Sequence, residues 1–185
     1  MKKESIKSHL QPYSITKKRQ TTINHAFASA IAPNDIYAEN LVKEAVESLG
    51  QDPEEHLLCV YCGEPAETWD HVFGLVKNFK FSGYGHVIGN LLPCCKKCNS
   101  KKGNKHWEEF LNKKNKSNAA LAVKVEILKR YFEKYLPEKV DYERIKSICP
   151  VEIKRLESIK TKIIRSIKEA DTIAERVRRK IKEVT

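Results

Sequence analysis

Residues Cys59 to Lys105 form the most informative stretch of the chain, CVYCGEPAETWDHVFGLVKNFKFSGYGHVIGNLLPCCKKCNSKKGNK. It opens with the pair Cys59 and Cys62 and carries a second pair, Cys95 and Cys98, near its end. A C-x-x-C pair lets two thiolates reach one tetrahedral Zn²⁺ from a single tight turn. Two pairs therefore predict a closed four-sulfur zinc site. Such a site is structural, so removal of the zinc is expected to unfold the module around it.

The interval between the two pairs is longer than the roughly 15 to 20 residues of an ordinary zinc ribbon, so it has room for another function. Cys94 also has a permitted spacing to Cys98, but the symmetry of two C-x-x-C pairs favours Cys95. Cys94 and Cys149 are interpreted as small buried thiols. A redox use of the pairs is the weaker alternative, and a zinc content of about one per chain would exclude it.

Polar residues recur at three places within and just after this interval. They are carried by Thr68-Trp69-Asp70-His71-Val72, Gly89-Asn90-Leu91-Leu92-Pro93 and Cys98-Asn99-Ser100-Lys101-Lys102-Gly103. Singly, these side chains suit a turn former, a core histidine and helix caps. Together, in this order around a zinc framework, they resemble the HNH nuclease family, or ββα-metal fold, in its form with two cysteine pairs. The resemblance covers about residues 57–110.

The resemblance implies a role for each residue of the site. It makes His71 the general base for the attacking water, Asp70 and Asn99 the ligands of a catalytic Mg²⁺ or Mn²⁺, and Asn90 the residue that braces the hairpin. This chain has Asn99 where the family's name has its last histidine, and an amide oxygen favours hard cations over softer ones. The implied activity is that of a metal-dependent endodeoxyribonuclease, a hydrolase of phosphodiester bonds.

The chain is strongly basic, with 35 Lys and Arg against 24 Asp and Glu and a formal charge of +11. This excess favours a polyanionic partner, here double-stranded DNA, although lysines on solvated helix faces would also produce it. The expected phosphate contacts are Lys96, Lys97, Lys101, Lys102 and Lys105. His86 either reaches a phosphate from the Gly-rich loop or is simply exposed.

The predicted fold is α+β, with a small ββα-metal core and a four-cysteine zinc site flanked by N-terminal and C-terminal helices. Residues 1–20 are expected to form a flexible basic arm or a strand-poor lead-in. Helices are predicted over 35–49, 96–111, 119–136 and 151–184. The predicted regions are an arm and helix over 1–56, the nuclease module over 57–112 and a helical region over 113–185. Because no apolar run follows the first lysines and none is long enough for a membrane span, a cytoplasmic location is expected.

The flanking regions set the expected biological role. The apolar residues of 151–184 alternate in steps of three and four, which fits either a homodimeric coiled coil or a helix folded on its own domain. Pairing of two copies would suit a restriction endonuclease, whereas a monomer would suit nicking or a mobile element. Base readout would come from flanking residues: Lys17, Lys18, Arg19, His25, Arg176, Arg178 and Arg179. The alternative from another class is a zinc-dependent DNA-binding protein without catalysis.

Overall fold

The structure is a computed structural model that describes residues 3–114 and 118–185. It is α+β and mostly helical. The elements in chain order are α1 (Ile15–Ser29), α2 (Glu39–Ser48), β1 (Thr68–His71), β2 (Val76–Lys77), β3 (Lys80–Phe81), β4 (Leu91–Cys94), α3 (Lys96–Lys102), α4 (Trp107–Lys114), α5 (Asn118–Tyr135), α6 (Tyr142–Ile148) and α7 (Pro150–Val184). Within these described ranges, no helix combines the length and apolar character needed to cross a bilayer.

Two short antiparallel sheets hold the middle of the chain together. Strand β1 pairs with β4, so that Thr68 lies opposite Cys94 and His71 lies opposite Leu91. Strands β2 and β3 form a separate hairpin in the connection between β1 and β4. Helix α3 begins two residues after β4 and packs against β1. The chain therefore builds two antiparallel strands followed directly by a helix.

The residues Ala28–Arg144 form one compact unit. Its core joins the cysteine-rich strands and helices to apolar side chains of α2, α4 and α5. Its large side chains include Tyr61, Leu92, Leu111, Leu128 and Tyr131, each at most 2% exposed. Tyr131 also donates a hydrogen bond from its hydroxyl to the carbonyl of Leu91, at 3.3 Å. Helix α5 thus packs against α2 and against the residues just before β4.

The residues up to Phe27 and Ile145–Thr185 form a second compact unit. Asp171 of α7 joins α7 to the start of α1, because its carboxylate accepts hydrogen bonds from the Ile15 amide at 2.7 Å, the Thr16 amide at 2.9 Å and the Ser14 hydroxyl at 2.9 Å. The first amides of a helix have no partner within the helix, so this carboxylate caps α1.

The helices predicted over 119–136 and 151–184 are confirmed as α5 and α7, and the helix predicted over 35–49 is present but shorter. Two regions differ in detail from the expectation. Where a flexible basic arm or a strand-poor lead-in was expected, a 3-10 helix occupies Lys3–Ser8 and α1 begins at Ile15. The helical character predicted over 96–111 is divided between α3 and α4, because Gly103 takes a positive φ of 50° and ends α3.

Candidate metal centre and histidine pair

Four cysteine sulfurs meet at the base of the β1–β4 sheet. The Sγ atoms of Cys59, Cys62, Cys95 and Cys98 lie within 4.8 Å of one another, and those of Cys62 and Cys95 are 3.7 Å apart. Tetrahedral Zn–S bonds of about 2.3 Å put neighbouring sulfurs roughly 3.8 Å apart, so the four thiols fit one zinc ion. Local geometry supports this fit, because the Cys98 amide donates to the Cys95 sulfur at 3.4 Å at the start of α3.

The two remaining cysteines lie outside this cysteine cluster. Cys94 is fully buried, and its Sγ lies 3.9 Å from that of Cys59 while also donating to the Cys95 carbonyl. It is the small buried thiol that the sequence predicted. Cys149 is only half-buried and stands just before α7, so the expectation of a buried thiol was wrong there. All six cysteines are free of disulfide bonds.

The pKa values of the thiols in the cysteine cluster are shifted by burial and by neighbouring groups. The hydrogen bond with the Cys94 thiol lowers the pKa of Cys59 to about 4. Burial raises the pKa of Cys98 to about 12 and also raises that of Cys62. A bound Zn²⁺ favours thiolate over thiol at every ligand. Lys114 adds a cation here, because its hydrogen bond to Cys98 opposes the effect of burial on the pKa of that thiol.

Asp70 is buried and already has two partners. Its carboxylate accepts from the Tyr61 hydroxyl at 2.7 Å and from the Lys102 ammonium at 3.0 Å, and the Lys102 side chain is 0% exposed. Burial raises the pKa of the Asp70 carboxyl, an effect that Lys102 partly offsets. Burial also raises the pKa of Tyr61 well above its usual range, so this phenol stays protonated as a donor. Asp70 is therefore held inside the protein as one half of an ion pair.

His71 lies on the other side of β1 from Asp70, because successive strand side chains point to opposite faces. It is half-buried, and its Nε2 is 3.0 Å from Nδ1 of His86. The two rings meet edge to face with centroids 5.0 Å apart. The sequence singled out both residues but did not pair them, because 15 positions and a Gly-rich loop separate them.

Asn90 braces the two loops that carry these histidines. Its amide oxygen accepts from the Phe73 amide at 2.8 Å, and its nitrogen donates to the carbonyls of Phe73 at 3.0 Å and Gly85 at 2.9 Å. The side chain is fully buried, so these bonds satisfy its polar groups. The structure places Asn90 as a brace of the hairpin loop, although it touches backbone next to the histidines and not an imidazole.

Asn99 lies on α3, the helix expected to carry it, and is half-buried. Its amide nitrogen lies 3.3 Å from the Thr68 hydroxyl and 3.4 Å from the Trp69 carbonyl, and donates to both. These contacts hold α3 against β1. The Asp70 carboxylate, which was expected to bind a cation together with the Asn99 amide oxygen, is instead paired with Lys102.

The lysines expected to contact phosphates divide into two groups. Lys96, Lys97, Lys101 and Lys105 are exposed on and after α3, and Lys96 forms a surface ion pair with Glu67 at 3.1 Å. Lys102 is instead buried, and its ammonium also donates to the His71 carbonyl at 3.0 Å. The expectation for Lys102 is therefore corrected: a lysine facing inward along a short helix cannot grip a backbone phosphate. Lys102 comes four residues after the zinc-ligand candidate Cys98, so the two share one face of α3, and this spacing was the available signal.

The chain matches no protein-family model, no curated protein and no solved structure in the comparisons that were made.

Proposed function

We propose that this protein is a metal-dependent DNA endonuclease of the HNH type in which His71 activates the attacking water. The observation that carries the proposal is the position of His71, a half-buried histidine at the end of β1. The chain is held in place both before and after this residue. The cysteine cluster anchors the start of the β1–β4 sheet, and Asn90 anchors the loop beyond His71. A base that must meet a phosphodiester within hydrogen-bond reach needs such a rigid support.

The chemistry assigned to His71 is proton removal. The lone pair of a neutral imidazole can take a proton from water as the oxygen attacks phosphorus. The exposed lysines of α3 and its C-terminal end, Lys96, Lys97, Lys101 and Lys105, would hold the backbone on either side of the scissile bond. These contacts carry no base specificity, which would have to come from the flanking helices.

The catalytic cation is the part of the hypothesis that the described geometry does not support. Asp70 and Asn99 were expected to bind Mg²⁺ or Mn²⁺, yet the Asp70 carboxylate is buried and already paired with Lys102. These residues do not fit a hard-cation site as arranged, so no step is assigned to such an ion. Zinc, by contrast, fits the cysteine cluster and would serve the fold alone.

Plasmid cleavage tests the proposal. Zinc-loaded protein is incubated with supercoiled plasmid in the presence of Mg²⁺, Mn²⁺, Co²⁺ or Ni²⁺, and nicked and linear products are quantified. His71→Ala should lower the rate roughly 100-fold or more, because it removes the base. His56→Ala is the matched control, since His56 is an exposed histidine outside the site. Equal rates for His71→Ala and wild type would contradict the assignment.

Restriction-type defence is the biological role we propose, with double-stranded DNA as the partner and two copies cutting a palindromic site. The support is the basic charge and an exposed apolar stripe on α7, which is suited to pairing two copies. A monomer that nicks one strand would instead favour a mobile-element role.

A second candidate is a zinc-dependent DNA-binding protein without catalysis, and the Asp70–Lys102 ion pair favours it. In that case the cysteine cluster and exposed lysines suffice, and Asp70 serves only the core. Wild-type protein that binds duplex DNA, contains one zinc per chain and never cuts under any of the four cations would establish this interpretation over the nuclease.

A further inference from the structure

The histidine pair, defined as His71 and His86, is built by the fold around it. His86 donates its backbone amide to the Pro33 carbonyl at 2.8 Å, and its own carbonyl accepts from the Asp35 amide at 3.2 Å. Gly85 passes so close to Pro33 that an added Cβ would lie 2.1 Å from the Pro33 carbonyl oxygen. The loop that carries His86 is therefore fixed against the segment before α2.

The other half of the pair is fixed from the opposite side. His71 ends β1, whose register with β4 places it opposite Leu91. Asn90 bonds the backbone of Phe73 to that of Gly85, and the rings of Phe73 and Tyr84 stack with centroids 4.5 Å apart. Two independent contacts thus join the segment after His71 to the segment before His86. The 3.0 Å distance between the two imidazole nitrogens follows from this bracing.

A contact between two imidazole nitrogens at hydrogen-bond distance requires a proton on one and a lone pair on the other. If Nδ1 of His86 carried the proton, the lone pair of His71 would be occupied and its other nitrogen would bear a proton. If Nε2 of His71 carries the proton, the lone pair of His71 is on Nδ1. Only the second arrangement leaves His71 able to take a proton from water.

We propose that His86 is a positioning residue that selects this tautomer of His71, by accepting the Nε2 proton of His71 on its own Nδ1. This inference rests on the proposed nuclease function. During attack, the water proton moves to Nδ1 of His71, the ring becomes imidazolium, and its Nε2–H stays bonded to neutral His86. Hydrogen bonds from a charged donor are stronger than those from a neutral one, so His86 stabilises the protonated base. His86 itself gains no proton and need not touch the DNA.

The test compares replacements that differ in what they offer at the Nδ1 position. His86→Asn provides an oxygen acceptor there, His86→Leu keeps bulk without an acceptor, and His86→Lys introduces a cation without an acceptor. We expect His86→Leu and His86→Lys to lower kcat roughly 10- to 100-fold with little change in KM for DNA, and His86→Asn to recover most of the loss. His56→Leu is the control, and one zinc per chain verifies that each variant is folded.

A role in phosphate binding would give the opposite pattern. In that case His86→Lys would restore cleavage and His86→Asn would not, and the substitutions would change KM for DNA more than kcat. Any of these results overturns the proposal.

A spectroscopic measurement separates this proposal from the nuclease itself. Long-range ¹H–¹⁵N NMR of ¹⁵N-histidine-labelled protein reports which ring nitrogen carries the proton. Wild type should show His71 protonated on Nε2, and His86→Leu should show a mixture of tautomers. If wild type never cuts DNA but shows this tautomer shift, the nuclease fails and the positioning contact stands. If His71 is protonated on Nδ1 in wild type, the positioning proposal is wrong whether or not the protein cuts.

Discussion

Lys102 and Asp70 form an ion pair that water does not reach, and this changes the effect of substituting either residue. Taking two charges out of water is costly, and the pair survives because each charge neutralises the other and Tyr61 adds a hydrogen bond. Removing one partner leaves an uncompensated buried charge, whereas removing both need not.

Lys102→Met should therefore lower the free energy of unfolding by about 3–5 kcal/mol. The double variant Asp70→Asn/Lys102→Met should recover much of this loss, because Asn still accepts from Tyr61 without a charge. Urea denaturation of the zinc-loaded proteins measures both values. Equal losses in the single and double variants would show that the pair is not the stabilising unit described here.

Cys94 and Cys95 are adjacent in sequence but differ in their relation to the cysteine cluster. Cys95→Ala should abolish stoichiometric zinc binding and unfold Ala28–Arg144, because a closed site loses a ligand. Cys94→Ala should retain one zinc per chain and cost about 1 kcal/mol for the small cavity it leaves. Zinc content by mass spectrometry and circular dichroism distinguish the two. Loss of zinc in Cys94→Ala would reassign the fourth ligand.

At the level of elements, the start of α1 depends on a carboxylate of α7. The Thr16 and Ile15 amides and the Ser14 hydroxyl lower the pKa of Asp171 to about 2, from an ordinary value of 3.8. A carboxylate whose pKa is lowered by folding stabilises the folded state above its unfolded pKa. That stabilisation decreases as the pH falls from about 4 to about 2.

The pH dependence can be observed at the capped amides themselves. The ¹⁵N–¹H shifts of Ile15 and Thr16 should titrate together with a midpoint at about 2, as the bonds to Asp171 weaken. In Asp171→Asn the same shifts should not follow this titration. A midpoint at the ordinary value of 3.8 in the wild type would mean that the cap is not formed in solution.

Periodicity and cysteine spacing predicted the elements whose signals are local. Helices α5 and α7 have long apolar repeats, and the two C-x-x-C pairs specify their own turn geometry, so both predictions survive. Helix α1 gave no such signal, and the carboxylate that caps its first amides, Asp171, is more than 150 residues away in the chain. A distant carboxylate leaves no trace in a local pattern.

The site was predictable in part for the same reason. Strand alternation would have placed Asp70 and His71 on opposite faces, but the motif grouped them by their order in the sequence. The Asp70–Lys102 pair and the His71–His86 contact depend on how β1 meets α3 and on how the Gly-rich loop folds back. Contacts across such loops are tertiary, so residue order alone does not specify them.

At the scale of the whole molecule, the 35-residue helix α7 carries a stripe of exposed apolar side chains. The stripe consists of Ile159, Ile163, Ile173, Val177 and Ile181, which are 38–54% exposed. The side chains that α7 covers follow a neighbouring face, marked by Ile153, Leu156, Ile167 and Ala174. A helix with one covered and one exposed apolar face can pair with a second copy through the exposed one.

Two copies should therefore associate through this stripe. Ile173→Glu/Val177→Glu should shift the sedimentation coefficient from dimer to monomer at micromolar concentration, because it places charges at the seam. Glu175→Lys/Arg179→Glu, on exposed positions of the same helix outside the stripe, should leave the dimer intact. A wild-type protein that sediments as a monomer would contradict the coiled-coil pairing and the two-strand cutting that depends on it.

The role of His71 as the base of a DNA endonuclease is checked best by sequencing the DNA ends that the zinc-loaded protein produces from genomic DNA. Wild type should generate new ends that recur at a fixed sequence, and His71→Ala, with the same zinc content, should generate none. The same ends in both samples, or no new ends with wild type in any divalent cation, would contradict this role.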